Sequence, residues 1–252
     1  MKKLLKAFCM SFSMFCAIPT PFAHVWEDSV RSLMLVVFPF VGTVIGAIWA
    51  EVGVLMRHFG CPAIFTAAIL TLLPYWLSGG IHLDGFMDCC DAVFSRRPIE
   101  KKREILKDSH VGSFAVMSLA MLLLVGFSAF ASFDGSENLW ALVLVATASR
   151  ACSAIGVSTL RPMGHSEYAG NFQQGISKGN IATLALILAA CFAIGWFAFG
   201  IFGVGAVSAT VLGYIAFTAY TFKELDGFSG DVTGLGTTMA ELCGVIAMML
   251  FK

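Results

Sequence analysis

Seven apolar runs, each close to the twenty or so residues a helix needs to cross a hydrocarbon layer about 30 Å thick, dominate this chain of 252 residues. They cover approximately residues 33 to 56, 62 to 78, 111 to 131, 139 to 160, 181 to 200, 204 to 222 and 236 to 251. Inside lipid the backbone must satisfy its own N–H and C=O groups, and runs of this length do so as helices. The expected fold is therefore all-α, a polytopic integral membrane helical bundle of about seven transmembrane helices. Composition agrees: 58% of the residues are hydrophobic and 13% charged, against about a quarter charged in a soluble domain. That excludes a water-soluble fold. Lys and Arg number 16 and Asp and Glu 16, so no global positive field exists and nucleic acid is not an expected partner. The sixth and seventh spans are the least sharply marked, because only Gly200 to Val204 divides spans five and six and Glu241 interrupts the last run.

Basic residues near span ends orient such a bundle, since they stay on the cytoplasmic side. The 79 to 110 loop holds Arg96, Arg97, Lys101, Lys102, Arg103 and Lys107, whereas the loop from Phe133 to Asn138 has Asp134 and Glu137 and no basic residue. Alternation then places 161 to 180 and 223 to 231 inside with the large loop, together with Lys2, Lys3 and Lys6, and leaves Arg57 and Lys252 outside. The first 23 residues have the basic start and apolar stretch of a signal peptide, with Ala23 as a small residue at its end. Pro19 and Pro21 flank that end, and Pro21 stands where a small side chain is wanted. The preferred reading is an N-terminal interfacial helix stopped by Pro19. With no repeat, low-complexity tract or linker in view, residues 1 to 252 read as one membrane-embedded domain. The eight cysteines lie mostly in apolar runs without metal-type spacing and read as small buried hydrophobes.

The stretch Ser78-Gly-Gly-Ile-His-Leu-Asp-Gly-Phe-Met-Asp-Cys-Cys-Asp91 lies at the inner end of the second span. Asp84, Asp88 and Asp91 are spaced by four and three, which on a helix puts all three on one stripe. Three carboxylates so placed repel unless a cation sits among them, and oxygen ligands around a hard divalent ion indicate Mg²⁺ or Mn²⁺. A solvated acidic helix end is the plain alternative, but Asp84 stands beside an apolar span, where a carboxylate is expensive. Gly79, Gly80 and Gly85 leave room for a phosphate to approach the backbone.

Six basic residues follow in the same loop, and carboxylates beside cations suit a metal-bridged diphosphate. Sidedness alone accounts for Arg96, Arg97, Lys101, Lys102 and Arg103, while Lys107 and Asp108, just before the turn at Gly112, are preferred as site residues. Arg150 in the fourth span and Glu241 in the seventh each need a partner, and a structural ion pair stands level with a role in the site. Glu51 reads as structural, and His24 and His58 as surface or core histidines. The Asp226-Gly-Phe-Ser-Gly-Asp231 segment, a second glycine-flanked acidic cluster, falls on the same membrane face as the first.

Taken together, these residues resemble the cobalamin synthase family, whose members are adenosylcobinamide-GDP ribazoletransferases. Three ordered motifs carry the resemblance: Gly79-Gly-x-His82-x-Asp84-Gly-x-x-Asp88-x-x-Asp91, then Lys107-Asp-Ser-x-x-Gly112-x-Phe-x-Val116, then Ser229-Gly-Asp231-x-x-Gly234 with Glu241 ten residues after the aspartate. Pro39-x-x-Gly42-x-x-x-Gly46 and Ser149-Arg150 agree more weakly, Cys89, Cys90, Ala92, Asp226 and Ser229 depart from the usual pattern, and the 161 to 168 stretch, with Arg161 and Glu167, matches only loosely. The resemblance implies that α-ribazole or its 5′-phosphate displaces GMP from adenosylcobinamide-GDP with Mg²⁺ present, late in cobalamin biosynthesis, at the cytoplasmic face of the bacterial inner membrane. On that reading Asp84, Asp88 and Asp91 hold the metal. Lys107, Asp108, Ser109 and Arg150 contact substrate. His82, Asp231 and Asp91 are the candidates to take the proton of the attacking hydroxyl. The lipid bilayer is the surrounding partner and a homo-oligomer is left open. Two other readings stand beside it. The Asp-Gly-x-x-Asp-x-x-Asp spacing is similar to the CDP-alcohol phosphotransferases, whose longer motif is absent here, and Glu51, Arg150 and Glu241 would also suit a transporter path, although two related halves are not visible.

Overall fold

A computed structural model describes residues 2–19, 27–164, 173 and 175–251. The signal-peptide residues Pro21 and Ala23, the lone His24, and Glu167 lie outside the described residues. Within them the chain is helical: α1 (Lys2–Phe15), α2 (Arg31–His58), α3 (Ala63–Leu77), α4 (Ile81–Phe94), α5 (Ile99–Ile105), α6 (Ser113–Ala131), α7 (Ala141–Thr159), α8 (Lys178–Leu225) and α9 (Gly230–Leu250). Five of these helices are long and apolar enough to cross a membrane, or six when α3 and α4 are taken as one broken span. The protein is thus an integral membrane bundle, and the sequence-based count of about seven approximates it. The 48 residues of α8 include a break at Gly200, whose backbone is non-helical at φ 62° and ψ −142°. Gly195 packs directly on Gly203 across this break, a Cβ on the former falling 3.2 Å from the carbonyl carbon of the latter. Eight residues of straight helix would separate them by roughly 12 Å. The chain therefore doubles back at Gly200, and the two limbs are the fifth and sixth apolar runs.

The helices differ in what surrounds them. In the apolar window of α7, 83% of residues are buried inside the protein, against 17% for α8, so α7 is the central post and α8 faces outward. Small residues let α2 press against α7: a Cβ on Gly46 would lie 2.6 Å from Val143 Cα. The loops sort into two ends. At one end Arg57 donates to the Glu137 carbonyl at 2.9 Å. At the other, Phe228 donates to the Arg161 carbonyl at 3.0 Å and Met163 donates to the Phe228 carbonyl at 2.9 Å. Lys102 pairs with Glu224 there, and Arg103 Nη2 donates to the Asp226 carbonyl at 2.8 Å. The basic 79 to 110 loop and the segments on either side of α8 thus share one end, the grouping expected from alternation.

Helix α1 is more than an interfacial element. It ends before Pro19 as expected, but Ala7, Met10 and Phe15 are buried in the main apolar core, and Ala17 N–H donates to the Leu77 carbonyl at 2.8 Å. That bond ties the end of α1 to the end of α3. There Gly79 and Gly80 take left-handed backbone angles, φ 66° and 77°, which side chains with a Cβ resist. The two glycines turn the chain through 94° between α3 and α4. Helix α4 therefore runs across the end of the bundle instead of continuing through it.

Candidate active site

The 94° turn lays the acidic motif along the basic end of the molecule, and one close helix crossing supplies its remaining carboxylate. A Cβ on Gly85 would stand 2.8 Å from Asp231 Cα, and one on Gly234 3.1 Å from the His82 carbonyl oxygen. The motif glycines of α4 and α9 thus bring the two backbones into contact. Thr238 Oγ1 donates to the same His82 carbonyl at 3.2 Å. Ser229 caps α9, accepting from Val232 N–H at 3.3 Å, and its hydroxyl donates to Asp231 Oδ2 at 3.2 Å. Behind Asp231 a chain of hydroxyls runs into the bundle, with Ser153 and Thr233 2.7 Å apart and Tyr214 3.0 Å from Thr233.

The carboxylates form a like-charged field. Burial first, then the charges of Asp84, Asp231 and Asp91, push the Asp88 carboxyl, on the turned helix outside the spans, up to about 6. Asp84 is exposed, whereas Asp88 and Asp231 are half-buried. Asp84 and Asp231 line one cavity, of about 380 Å³, together with His82. A second, more open cavity of about 660 Å³ is lined by Gly79, Gly80 and again Asp84.

Two of the expected site groups have partners elsewhere in the protein. Among the described residues no group of three or more His, Cys, Asp or Glu is placed to hold one ion. The reason lies at Asp91, whose Oδ2 accepts from Gly112 N–H at 2.7 Å and Oδ1 from Ala115 N–H at 2.9 Å. Those donors are the unpaired amides at the start of α6, where the helix dipole also favours an anion. Asp91 thus caps a helix. Arg150, expected at substrate, is 1% exposed and forms an ion pair with Glu241, itself 5% exposed, while Ser149 Oγ lies 3.0 Å from its Nη1. Its charge is spent inside the bundle, so of the two readings weighed from sequence the structural pair is the one realised. Glu51 sits on the exposed face of α2.

Lys107, Asp108 and Ser109 lie exposed in the turn before Gly112. Asp108 accepts from His110 N–H at 3.0 Å, and its bond to the His110 ring chiefly holds its carboxyl below the usual range. This turn reaches the motif through the Gly112–Asp91 bond, with no described contact to Asp84 or Asp231. Asp226 does not join the acidic field: Arg161 and Arg103 both bind it, and Arg161 chiefly holds its carboxyl below the ordinary value. Sequence reasoning missed Ser153, Thr233, Met14 and Phe15 as cavity walls. A small hydroxyl residue within a span was the available signal for the first two, and the amphipathic start of the chain for the others.

Fold and site together define a class: a polytopic helical membrane protein whose carboxylates gather at one end, beside two cavities. Comparison with known proteins narrows it. A family model described as cobalamin-5-phosphate synthase matches residues 7–249, and the chain belongs to that family. It is 36% identical over 251 residues to an adenosylcobinamide-GDP ribazoletransferase of Clostridium perfringens (strain 13 / Type A), covering 98% of this chain and 99% of the relative. A protein of the same name from Clostridium botulinum (strain Alaska E43 / Type E3) is 31% identical over 252 residues, all of both chains, and one from Desulfitobacterium hafniense (strain Y51) is 31% identical over 81% of each. No solved structure matches. The family shown is the one the three ordered motifs resemble, and the phosphotransferase and transporter alternatives give way to it.

Proposed function

We propose that this protein is an adenosylcobinamide-GDP ribazoletransferase of the bacterial inner membrane, with its site facing the cytoplasm, and that it joins α-ribazole or its 5′-phosphate to the corrinoid with release of GMP. The observation that carries this reading is the meeting of Asp84, Asp88 and Asp231 through the Gly85–Asp231 crossing, in a chain that matches the family from residue 7 to 249. The same end of the bundle holds the six basic residues of the 79 to 110 loop, which supports the cytoplasmic orientation.

The donor set fits Mg²⁺. This ion takes one or two carboxylates together with substrate phosphates and water, not a closed cage of protein ligands, so the lack of a three-residue cluster and the engagement of Asp91 are compatible with it. Asp84 and Asp88 are the residues that would hold it. When bound, the ion neutralises the diphosphate and supports the departing GMP. The protein's own share is positioning. A ribose hydroxyl oxygen attacks the corrinoid-side phosphorus, the bridging P–O bond breaks with its electron pair on GMP, and the hydroxyl proton passes to a carboxylate. Asp231, held by the Ser229 hydroxyl and half-buried, is the base this geometry favours, since Asp91 is occupied by α6 and His82 is packed among aromatic rings. Full-length protein in lipid nanodiscs, given adenosylcobinamide-GDP, α-ribazole and Mg²⁺, should release GMP. Release should stop on chelation and return with Mg²⁺. Absence of release in complete mixture overturns the assignment, and release indifferent to chelation overturns the metal.

A further inference from the structure

A transferase with two substrates needs two seats that open on one reacting point, and the two cavities at the turned end of the bundle have that relation. They share Met14, Ile81 and Asp84 and otherwise differ in chemistry. One, lined from α1, α2, α4, α7 and α9, has Phe15 and Phe38 among its walls together with Ser153, Thr233, Asp84 and Asp231. Its volume of about 380 Å³ lies at the lower end of the roughly 300–1,000 Å³ of small-ligand sites. That suits a nucleoside and is too small for a corrinoid joined to a nucleotide. The other, about 660 Å³ and more open, is walled by the bare backbone of Gly79 and Gly80, where a diphosphate can approach closely while the rest of a large ligand stays outside.

A second, independent feature points to a ligand in the enclosed cavity. His82 is 6% exposed and lines it, its ring packed against Phe15 and Phe38 at centroid distances of 6.2 and 5.8 Å. Its Nε2 is buried and has no hydrogen-bond partner among the described residues. A buried polar atom left unpaired is costly, and ligand sites carry a few such polar groups to fix a ligand's orientation. Resting on the transferase reading above, we propose that the enclosed cavity seats the heteroaromatic ribonucleoside, its ring system against Phe15 and Phe38 and a polar atom on His82 Nε2. The glycine-walled cavity receives the diphosphate of the second substrate. Both seats then adjoin Asp84, which lines the two cavities alike. His82 is a binding and positioning residue here, and α1, through Phe15, is a wall of the site.

Steady-state GMP release, with each substrate varied in turn in nanodiscs, tests this. Ser153→Leu, which fills the cavity from α7, and His82→Leu, which removes the polar atom, should each raise KM for α-ribazole about 10-fold or more while leaving KM for adenosylcobinamide-GDP unchanged. His82→Gln, whose amide nitrogen reaches the place of Nε2, should restore most of the loss. A rise confined to the corrinoid substrate, or an equal fall in kcat with neither KM moved, overturns the assignment. Should Ser153→Leu fail to fold, the Leu and Gln pair at His82 decides alone. Calorimetric titration of the wild-type protein with α-ribazole separates the two levels of the claim. Binding that His82→Leu weakens, without GMP release, sinks the transferase reading and keeps the cavity; release with binding unaffected at His82 sinks the cavity and keeps the enzyme.

Discussion

The protein holds two groups of charge in an otherwise apolar body, and they are built in opposite ways. Deep in the bundle, Arg150 and Glu241 face one another across α7 and α9, cation against anion, with Ser149 alongside. At the turned end, Asp84, Asp88 and Asp231 gather with like charge, and burial first and their repulsion second raise the Asp88 carboxyl. The first group is neutral within itself, although Arg150 Nε is buried without a hydrogen-bond partner among the described residues. The second is left unbalanced, while Lys102, Arg103 and Arg161 at the same end of the molecule are committed to Glu224 and Asp226. Charge that the fold has already paired maintains the scaffold, and charge that the fold leaves uncompensated awaits a ligand.

That contrast breaks most visibly under single substitutions. Asp88→Asn should lower GMP release by about 10² to 10³-fold, the scale on which a fixed electrostatic contact to a transition state acts. The protein should still be extractable, with a melting temperature in nanodiscs equal to or above wild type, since one repelling charge is gone. A variant that keeps its activity would place Asp88 outside the chemistry. Arg150→Met should do the reverse. Leaving Glu241 buried and unpaired costs about 3–5 kcal/mol, read as a lowered melting temperature, and the double change Arg150→Met with Glu241→Leu should recover most of it. A normal melting temperature with a raised substrate KM would move Arg150 back into the site.

Much of this was legible in the residues because it is local. Run length marks the spans, and the spacing of four and three places Asp84, Asp88 and Asp91 on one helical stripe. The connector at Gly200 shows in sequence as a short gap and in the fold as a chain reversal. What stayed hidden depends on partners far along the chain. Asp91 looks like a third ligand until its acceptors are seen to be filled by Gly112 and Ala115, 21 and 24 residues on. Arg150 and Glu241 each read as a buried charge in need of a partner, and only the packing of α7 on α9 shows that each is the other's. Ser153 and Thr233 gave a signal that did not discriminate: a hydroxyl on a spanning helix has the same signature whether it meets a neighbouring helix or a ligand.

The crossing that brings the carboxylates together can be loosened directly. Gly85→Ala would set a methyl 2.8 Å from Asp231 Cα, against backbone that cannot swing aside. Overpacking of this kind costs about 1–3 kcal/mol. A displacement of the order of 1 Å between Asp84 and Asp231 should lower kcat by up to about 10²-fold, with the Arg150–Glu241 pair and extractability intact. An alanine variant with unchanged kcat would show that the carboxylates of α4 and α9 do not act together.

The smallest effect expected is at Asp91, and it sharpens the comparison most, because this residue has the sequence of the ligand stripe and the bonding of the scaffold. If its work is to hold the first amides of α6, Asp91→Ala should cost about 1 kcal/mol, the ordinary loss of a helix cap. Asp91→Asn, which keeps a carbonyl acceptor for one of the two N–H groups, should cost less. Both would show as modest drops in melting temperature, and activity should fall far less than in Asp88→Asn, with the Mg²⁺ concentration for half-maximal GMP release nearly unmoved. An Asp91→Asn variant as inactive as Asp88→Asn, with a shifted Mg²⁺ requirement at normal stability, would mean that the carboxylate serves α6 and the substrate together and that the ligand stripe has three working members.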